Sequence, residues 1–380
     1  MTPLPHEAHL AAMAGLDLVG PATLQRLAAL GEPGATWERL RTGRLPVSVC
    51  AARSEPPRAQ LDRWAAQART IDPVEVWDRL RRAGVGVVSL GGPGYPTALR
   101  SDPDPPVLLF TLGDPATLDQ PCVAVVGTRR ATAYGRGVAH DLGRDLAAHG
   151  ICVVSGLALG IDAAAHAGAC QGGAGPAAVV GAGPDRPCPR PNLPLARRVA
   201  TLGLLCSELP PGVGAQPWRF PVRNRIVAGL ARVVVVVESA ATGGSMSTVE
   251  HAVLRDRTVL AVPGPVDAPT SAGCNSLLAE GAVVCSGVDD VLVALGGTPG
   301  AAAPRPDHRV APTGAAAVVL DALGWRPESV EYLVTVSGLP LRSLVGELER
   351  LERAGWVVRR DGFVERLGTS GRAVDLGVIP

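Results

Sequence analysis

Between residues 121 and about 295, short apolar runs alternate with segments of helical periodicity. The runs cover residues 123–126, 152–154, 177–180, 204–206, 233–237 and 259–262. Each is apolar at odd and even positions alike, so neither face of such a strand tolerates water. That is the pattern of a parallel strand covered on both sides. Strand–helix alternation predicts an α/β fold, an extended Rossmann-like doubly wound and mostly parallel sheet. Right-handed crossovers would then bring the carboxyl ends of the strands to one edge.

The flanks follow other rules. Residues 1–84 read as an N-terminal helical (SAM-like) domain, and the chain stays helical and irregular to about residue 115. Leu24, Leu27, Ala28 and Leu30 share one helical face after Gly20-Pro21, and further helices are expected over 57–70 and 73–83. A packing or dimerisation module fits this stretch better than a backbone-gripping helical hairpin, because the glycine pair of such a hairpin is incomplete. The core is expected over 85–295, followed by a Pro/Gly/Ala-rich linker over 296–312. Beyond it, helices are predicted over 314–323, 329–334 and 341–354, the last with Leu344, Leu348 and Leu351 on one face. Two short strands, 356–359 and 363–366, flank Asp361-Gly362, a strong hairpin signal. Helix–turn–helix plus hairpin predicts a winged-helix domain over 313–380.

Composition narrows the chemistry. With 47% hydrophobic and 19% charged residues, the 380-residue chain can bury a core, and two or three domains are expected. Aromatics are only 3%, so Ala, Val and Leu must fill it. The 36 basic residues, all arginine, meet 35 acidic ones, for a net charge of +1. Such a chain has no overall attraction for a polyanion, so an anion site must be a local patch of arginine. The eight cysteines are scattered with no C-x-x-C pair, which points to buried thiols in a reducing compartment and no metal site. No apolar window reaches the roughly 18 residues of a membrane span, and no signal peptide is evident, so a cytoplasmic, membrane-free protein is expected.

The candidate chemistry lies at the strand ends. They read Gly127-Thr128-Arg129-Arg130, Ser155-Gly156 through Gly160, Gly181-Ala182-Gly183, Glu238-Ser239 and Pro263-Gly264. Glycine lets backbone approach a ligand, and free amides at the following helix starts favour an anion. Neither G-x-G-x-x-G nor G-x-x-x-x-G-K-[ST] is present, so no nucleotide cofactor is expected. Arg129 stands instead in the first strand–helix loop. Residues 217–232 carry Arg219, Arg223, Arg225 and Arg232 and no acid. Arg225, Gly229 and Arg232 would share one helical face. Trp218 and Phe220 offer ring faces on which bases could stack, although either could equally be a core residue.

Three blocks, residues 123–129, 155–166 and 220–230, resemble the hallmark blocks of the DNA-processing protein A (DprA/Smf) family, and 262–264 and 273–282 resemble its later ones. The resemblance spans about 85–295. It implies a non-catalytic protein that binds single-stranded DNA, helps load a RecA-type recombinase during natural transformation, and forms a homodimer through the core. The DNA-binding residues implied are Gly127, Thr128, Arg129, Ser155, Gly156, Gly160, Phe220, Arg223, Asn224 and Arg225, with Asp162 and His166 orienting the loop. Cys188-Pro189 replaces the family's usual Tyr-Pro, Gly243-Gly244-Ser245 its Ser-Gly-Ser, and Cys274 a common threonine. Two rival readings stand beside it. Residues 242–250 loosely resemble the loop of a nucleotide phosphoribohydrolase, with Glu250 and Arg129 as the acting pair, but lack its proline and third glycine. A winged-helix regulator is the other; there Arg342, Arg350 and Arg353 are offset by Glu347, Glu349 and Glu352, which speaks against strong duplex readout.

Overall fold

The computed structural model describes residues 4–50, 56–297, 307 and 309–368. The expected linker over 296–312 therefore falls largely outside the described residues, as does the end of the chain beyond 368.

The chain opens with helices α1 (His6–Ala14), α2 (Pro21–Ala28), α3 (Pro33–Arg41), α4 (Pro57–Thr70) and α5 (Pro73–Arg82). Proline at the first turn of α2 to α5 supplies a preset φ where no backbone donor is needed. In α4, Leu61, Trp64, Ala65 and Ala68 repeat at three and four residues and are buried. Trp64 is wholly enclosed, and its indole Nε1 donates to the Asp17 carbonyl at 2.7 Å. Around it gather Met13, Leu27 and Leu40, together with Leu108 and Phe110 from the edge of the sheet.

The central sheet is formed by β1 (Gly86–Ser89), β2 (Leu108–Gly113), β3 (Cys122–Val126), β4 (Cys152–Ser155), β5 (Ala177–Val179), β6 (Leu204–Ser207), β7 (Val233–Val236), β8 (Thr258–Ala261) and β9 (Val283–Val284). Its spatial order is β1-β2-β6-β5-β4-β3-β7-β8-β9. From β6 to β9 all neighbours are parallel, whereas β1, β2 and β6 pair antiparallel. Helices link the strands: α6 (Thr97–Arg100), α7 (Ala133–Ala148), α8 (Ile161–Ala169), α9 (Leu193–Leu202), α10 (Arg219–Leu230), α11 (Met246–Val253), α12 (Ala272–Ala279) and α13 (Val288–Ala294). Strand β3 shows why its run reads apolar throughout. Cys122, Ala124 and Val126 pack on one side with Ile226, Val227 and Leu230 of α10. Val123 and Val125 pack on the other with Ala139, Leu142 and Leu146 of α7.

Strand order reverses between β3 and β7. From β3 the chain winds outward through β4, β5 and β6; from β7 it winds the opposite way through β8 and β9. The two loops leaving this central pair diverge and open a crevice outside the strand ends, the position where doubly wound sheets take their ligands.

The C-terminal unit comprises α14 (Ala315–Leu323), β10 (Glu328–Ser329), α15 (Val330–Ser337), α16 (Leu341–Arg353), β11 (Val357–Arg360) and β12 (Phe363–Arg366). Leu344, Leu348 and Leu351 of α16 bury against Val319, Leu323, Leu333 and Val364. Asp361 and Gly362 both take positive φ, 51° and 84°, as a two-residue hairpin of this twist requires.

Candidate functional site

The crevice at the reversal point holds a cavity of about 470 Å³. Three segments wall it: Gly127 to Arg130 after β3, Gly156 and Ala158 after β4, and Ala240 and Gly243 to Ser245 after β7. The start of α10 closes it with Pro217, Phe220, Pro221, Arg223 and Asn224. Of the ten expected site residues, Gly127, Thr128, Arg129, Gly156, Phe220, Arg223 and Asn224 thus line one cavity.

The loop after β3 is clamped from both sides. Thr128 donates its amide to the Glu238 carbonyl at 2.6 Å, and its own carbonyl accepts from Ile161 N at 3.3 Å. Its hydroxyl accepts from Arg130 N at 3.2 Å. So fixed, the loop presents Arg129 to solvent. The Arg129 guanidinium carbon lies 4.9 Å from the centre of the half-buried Phe220 ring, a cation–π stack that preorients the charge.

Arg223 forms the floor and is only 6% exposed. It lies under Gly156, where any Cβ would overlap its guanidinium, and donates Nη1 to the Val179 carbonyl. Burial lowers its pKa to about 10, against the pull of Asp162, so it remains a cation at neutral pH. Asp162 is its counter-charge. Burial raises the Asp162 carboxyl, while Arg223 and the amides of Ala158 and Gly156 oppose that rise. Those amides donate to Asp162 Oδ2 at 3.4 and 3.1 Å, so this carboxylate holds the loop after β4. His166 is enclosed behind it, its Nε2 at 3.2 Å from the Ala177 carbonyl, and burial lowers its pKa to about 4. Asn224 ties the last wall in place, donating Nδ2 to Ser247 Oγ at 2.7 Å and to the Gly244 carbonyl at 3.3 Å.

Three expected site residues stand elsewhere. Arg225 is the main correction. Its Nη2 meets both Glu208 carboxylate oxygens at 2.6 Å, Nε reaches Asp104 Oδ2 at 3.1 Å, and Nη1 donates to the Asp104 carbonyl at 2.7 Å. Both Arg225 and Glu208 side chains are 8% exposed. The helical face shared by Arg225 and Gly229 turns inward, toward Asp102, Asp104 and Glu208, and Arg232 lies past the end of α10. Ser155 is enclosed, its Oγ donating to the Val125 carbonyl at 2.7 Å. Gly160 does not line the cavity. With φ at 79° it starts α8, and its bare Cα lets the backbone at Thr128 and Arg129 come into contact.

The expectation of free amides at the helix starts after the glycine loops also needs correcting at α7. At α7, Thr132 N donates to Glu238 Oε2 at 2.9 Å and Gly135 N to Thr132 Oγ1 at 3.1 Å. Ala133 N donates to Glu365 of β12. Glu365 also lies 3.6 Å from Arg136, with both side chains nearly buried. Carboxylates from within the chain already occupy this helix start. Residues the sequence reading missed include Arg130, Pro217, Gly243, Gly244, Ser245 and Thr248. Their signal was weak: a second arginine beside Arg129, and a glycine pair after a strand. Glu250 is exposed on α11 and does not line the cavity, so the Glu250–Arg129 pair of a phosphoribohydrolase is not assembled there. Among the described residues no cluster of His, Cys, Asp or Glu could hold a metal, and no helix is long and apolar enough to cross a membrane.

A doubly wound sheet with glycine loops and a stacked, exposed arginine at its reversal point, and no dinucleotide fingerprint, defines a Rossmann-like α/β protein with a candidate anion site at the strand ends. Residues 86–296 match the family described as DNA recombination-mediator protein A, and the chain belongs to that DNA-processing protein A family. A Mycobacterium tuberculosis relative named as DNA processing protein DprA is 37% identical over 356 residues, covering 81% of this chain and 90% of its own. The X-ray structure of DNA processing protein A from Streptococcus pneumoniae superposes with a TM-score of 0.64 at 31% identity, covering 77% of this chain and 98% of that one. DNA processing protein A from Helicobacter pylori, described for its single-stranded DNA binding mode, gives 0.51 at 30% identity, covering 56% and 95%.

Proposed function

We propose that this chain binds single-stranded DNA, without catalysis, in the crevice between β3 and β7. Arg129, Arg223 and the loop backbone at Gly127, Thr128 and Gly156 take the phosphates, and Phe220 takes a base. The observation that carries this reading is the exposed Arg129 guanidinium stacked 4.9 Å from Phe220 at the strand edge. A cation beside a flat ring suits an unpaired strand, which offers phosphate and base together. Asn224 serves as a positioning residue for the wall at Gly244, and Ser155 and Gly160 shape the loop from behind. Arg225 has no part in contact with DNA.

The family supports the rest of the reading. The bound strand passes to a RecA-type recombinase in natural transformation or recombination, and the protein acts in the cytoplasm as a homodimer. Residues 85–295 form the DNA-binding core, with the helical unit of 1–84 and the winged-helix unit of 313–380 as accessories. Over residues 341–366 six arginines meet five carboxylates, and Arg350 pairs with Glu347 and Arg359 with Glu352, so α16 and its wing carry little net charge to attract duplex DNA. Fluorescence anisotropy with labelled single-stranded and duplex oligonucleotides tests the proposal. Preference for the single strand, reduced on Arg129→Ala, is expected; equal or stronger duplex binding would overturn it.

A further inference from the structure

Trp218 is 55% exposed, the largest exposure of any Phe, Tyr or Trp among the described residues. It is nevertheless held. Its Nε1 donates to Gln216 Oε1 at 3.2 Å. The Arg219 guanidinium carbon lies 5.0 Å from its ring centre, and Arg219 is itself fixed by donating to the Gly214 carbonyl. This arrangement repeats the stack of Arg129 on Phe220 at nearly the same distance.

The two stacks lie on opposite sides of the helix start. Trp218 has helical φ and ψ, and a helix turns about 100° per residue, so Trp218 and Phe220 point roughly 200° apart. Phe220 enters the cavity described above. Trp218 faces outward with Val222, one turn on and 41% exposed, beside Pro21 of α2. The one carboxylate that lines the same depression, Glu208, is held by Arg225, so an apolar ring platform flanked by arginine suits one occupant here, an unpaired base with its phosphate.

We propose that Trp218, Arg219 and Val222 form a second nucleotide station, outside the cavity, which extends the single-stranded track over the start of α10 toward the N-terminal helices. The proposal rests on single-strand binding at the Arg129–Phe220 cavity. A strand too short to cross the helix start fills the cavity alone; a longer one gains the second stack.

Anisotropy titrations of the full chain with labelled oligothymidylates of increasing length test this, comparing wild type, Arg129→Ala, Trp218→Ala and Trp218→Phe. Arg129→Ala should weaken binding at every length. Trp218→Ala should leave the shortest oligonucleotides unaffected and weaken the longer ones on the order of tenfold, with Trp218→Phe restoring most of the loss. If Trp218→Ala matched wild type at every length while Arg129→Ala still weakened binding, the second station would be wrong and the cavity would stand. If Trp218→Ala weakened the shortest oligonucleotides equally, the station would not be separate. If Arg129→Ala had no effect at any length, the cavity would fall and the station with it. Normal DNA binding combined with loss of a recombinase complex would make Trp218 a protein contact instead.

Discussion

Replacing Arg225 by alanine separates a phosphate contact from an internal ion pair. The Arg225 guanidinium holds Glu208 through two contacts of 2.6 Å, and both side chains are almost fully enclosed. Removing the arginine strands a buried carboxylate, which costs about 3–5 kcal/mol. At roughly 2–4 °C per kcal/mol for a domain of this size, the melting temperature should drop by about 6–20 °C. Glu208 also sets the pH dependence. Burial raises its carboxyl, and Arg225 opposes the rise, so without Arg225 the rise grows. A carboxyl raised in the folded state stabilises the fold below its unfolded pKa and loses that contribution as pH climbs through the folded value. The deficit of the variant should therefore be larger near about pH 8 than near about pH 5. Urea denaturation followed by circular dichroism at both pH values measures it. Wild-type stability in Arg225→Ala, together with a flatter salt dependence of DNA binding, would refute this assignment and return Arg225 to the phosphate track.

Two further outcomes are expected. Gly156→Ala places a methyl group against the Arg223 guanidinium and should displace it, losing about 1.5–3 kcal/mol of single-strand binding, or tenfold and more in Kd, on titration. Glu365→Ala removes the carboxylate from Ala133 N and Arg136; time-resolved limited proteolysis should show faster release of the C-terminal unit while the melting of the core stays unchanged.

Much of this architecture was legible because buried parallel strands leave no polar positions. The six core runs appear as β3 to β8 within a residue or so, and Asp361-Gly362 marked the terminal hairpin. Strands β1 and β2 were not legible. Leu108 to Gly113 follows a proline-rich stretch, and its strand character comes from antiparallel pairing with β6, nearly a hundred residues away in sequence. Strand β9, two half-exposed valines at the far edge, is likewise made by its neighbour β8. The site divides on the same principle. Arg129 and Phe220 could be found because a strand-end loop and a proline-marked helix start each had to face the crevice. Arg225 was misassigned because charge was counted locally: residues 217–232 hold no acid, but folding brings Glu208 and Asp104 to that face from outside the segment. The closed start of α7 was hidden for the same reason, since Glu365 arrives from 232 residues downstream.

The most direct test of the phosphate role of Arg129 is the salt dependence of single-strand affinity in wild type and Arg129→Ala. Each phosphate contact to a single strand contributes about 0.7 to the slope of log K against log salt. The variant should bind more weakly, with a slope shallower by about that amount. Parallel lines, with affinity lowered or not, would mean that Arg129 touches no phosphate, and the crevice between β3 and β7 would lose its claim to the strand.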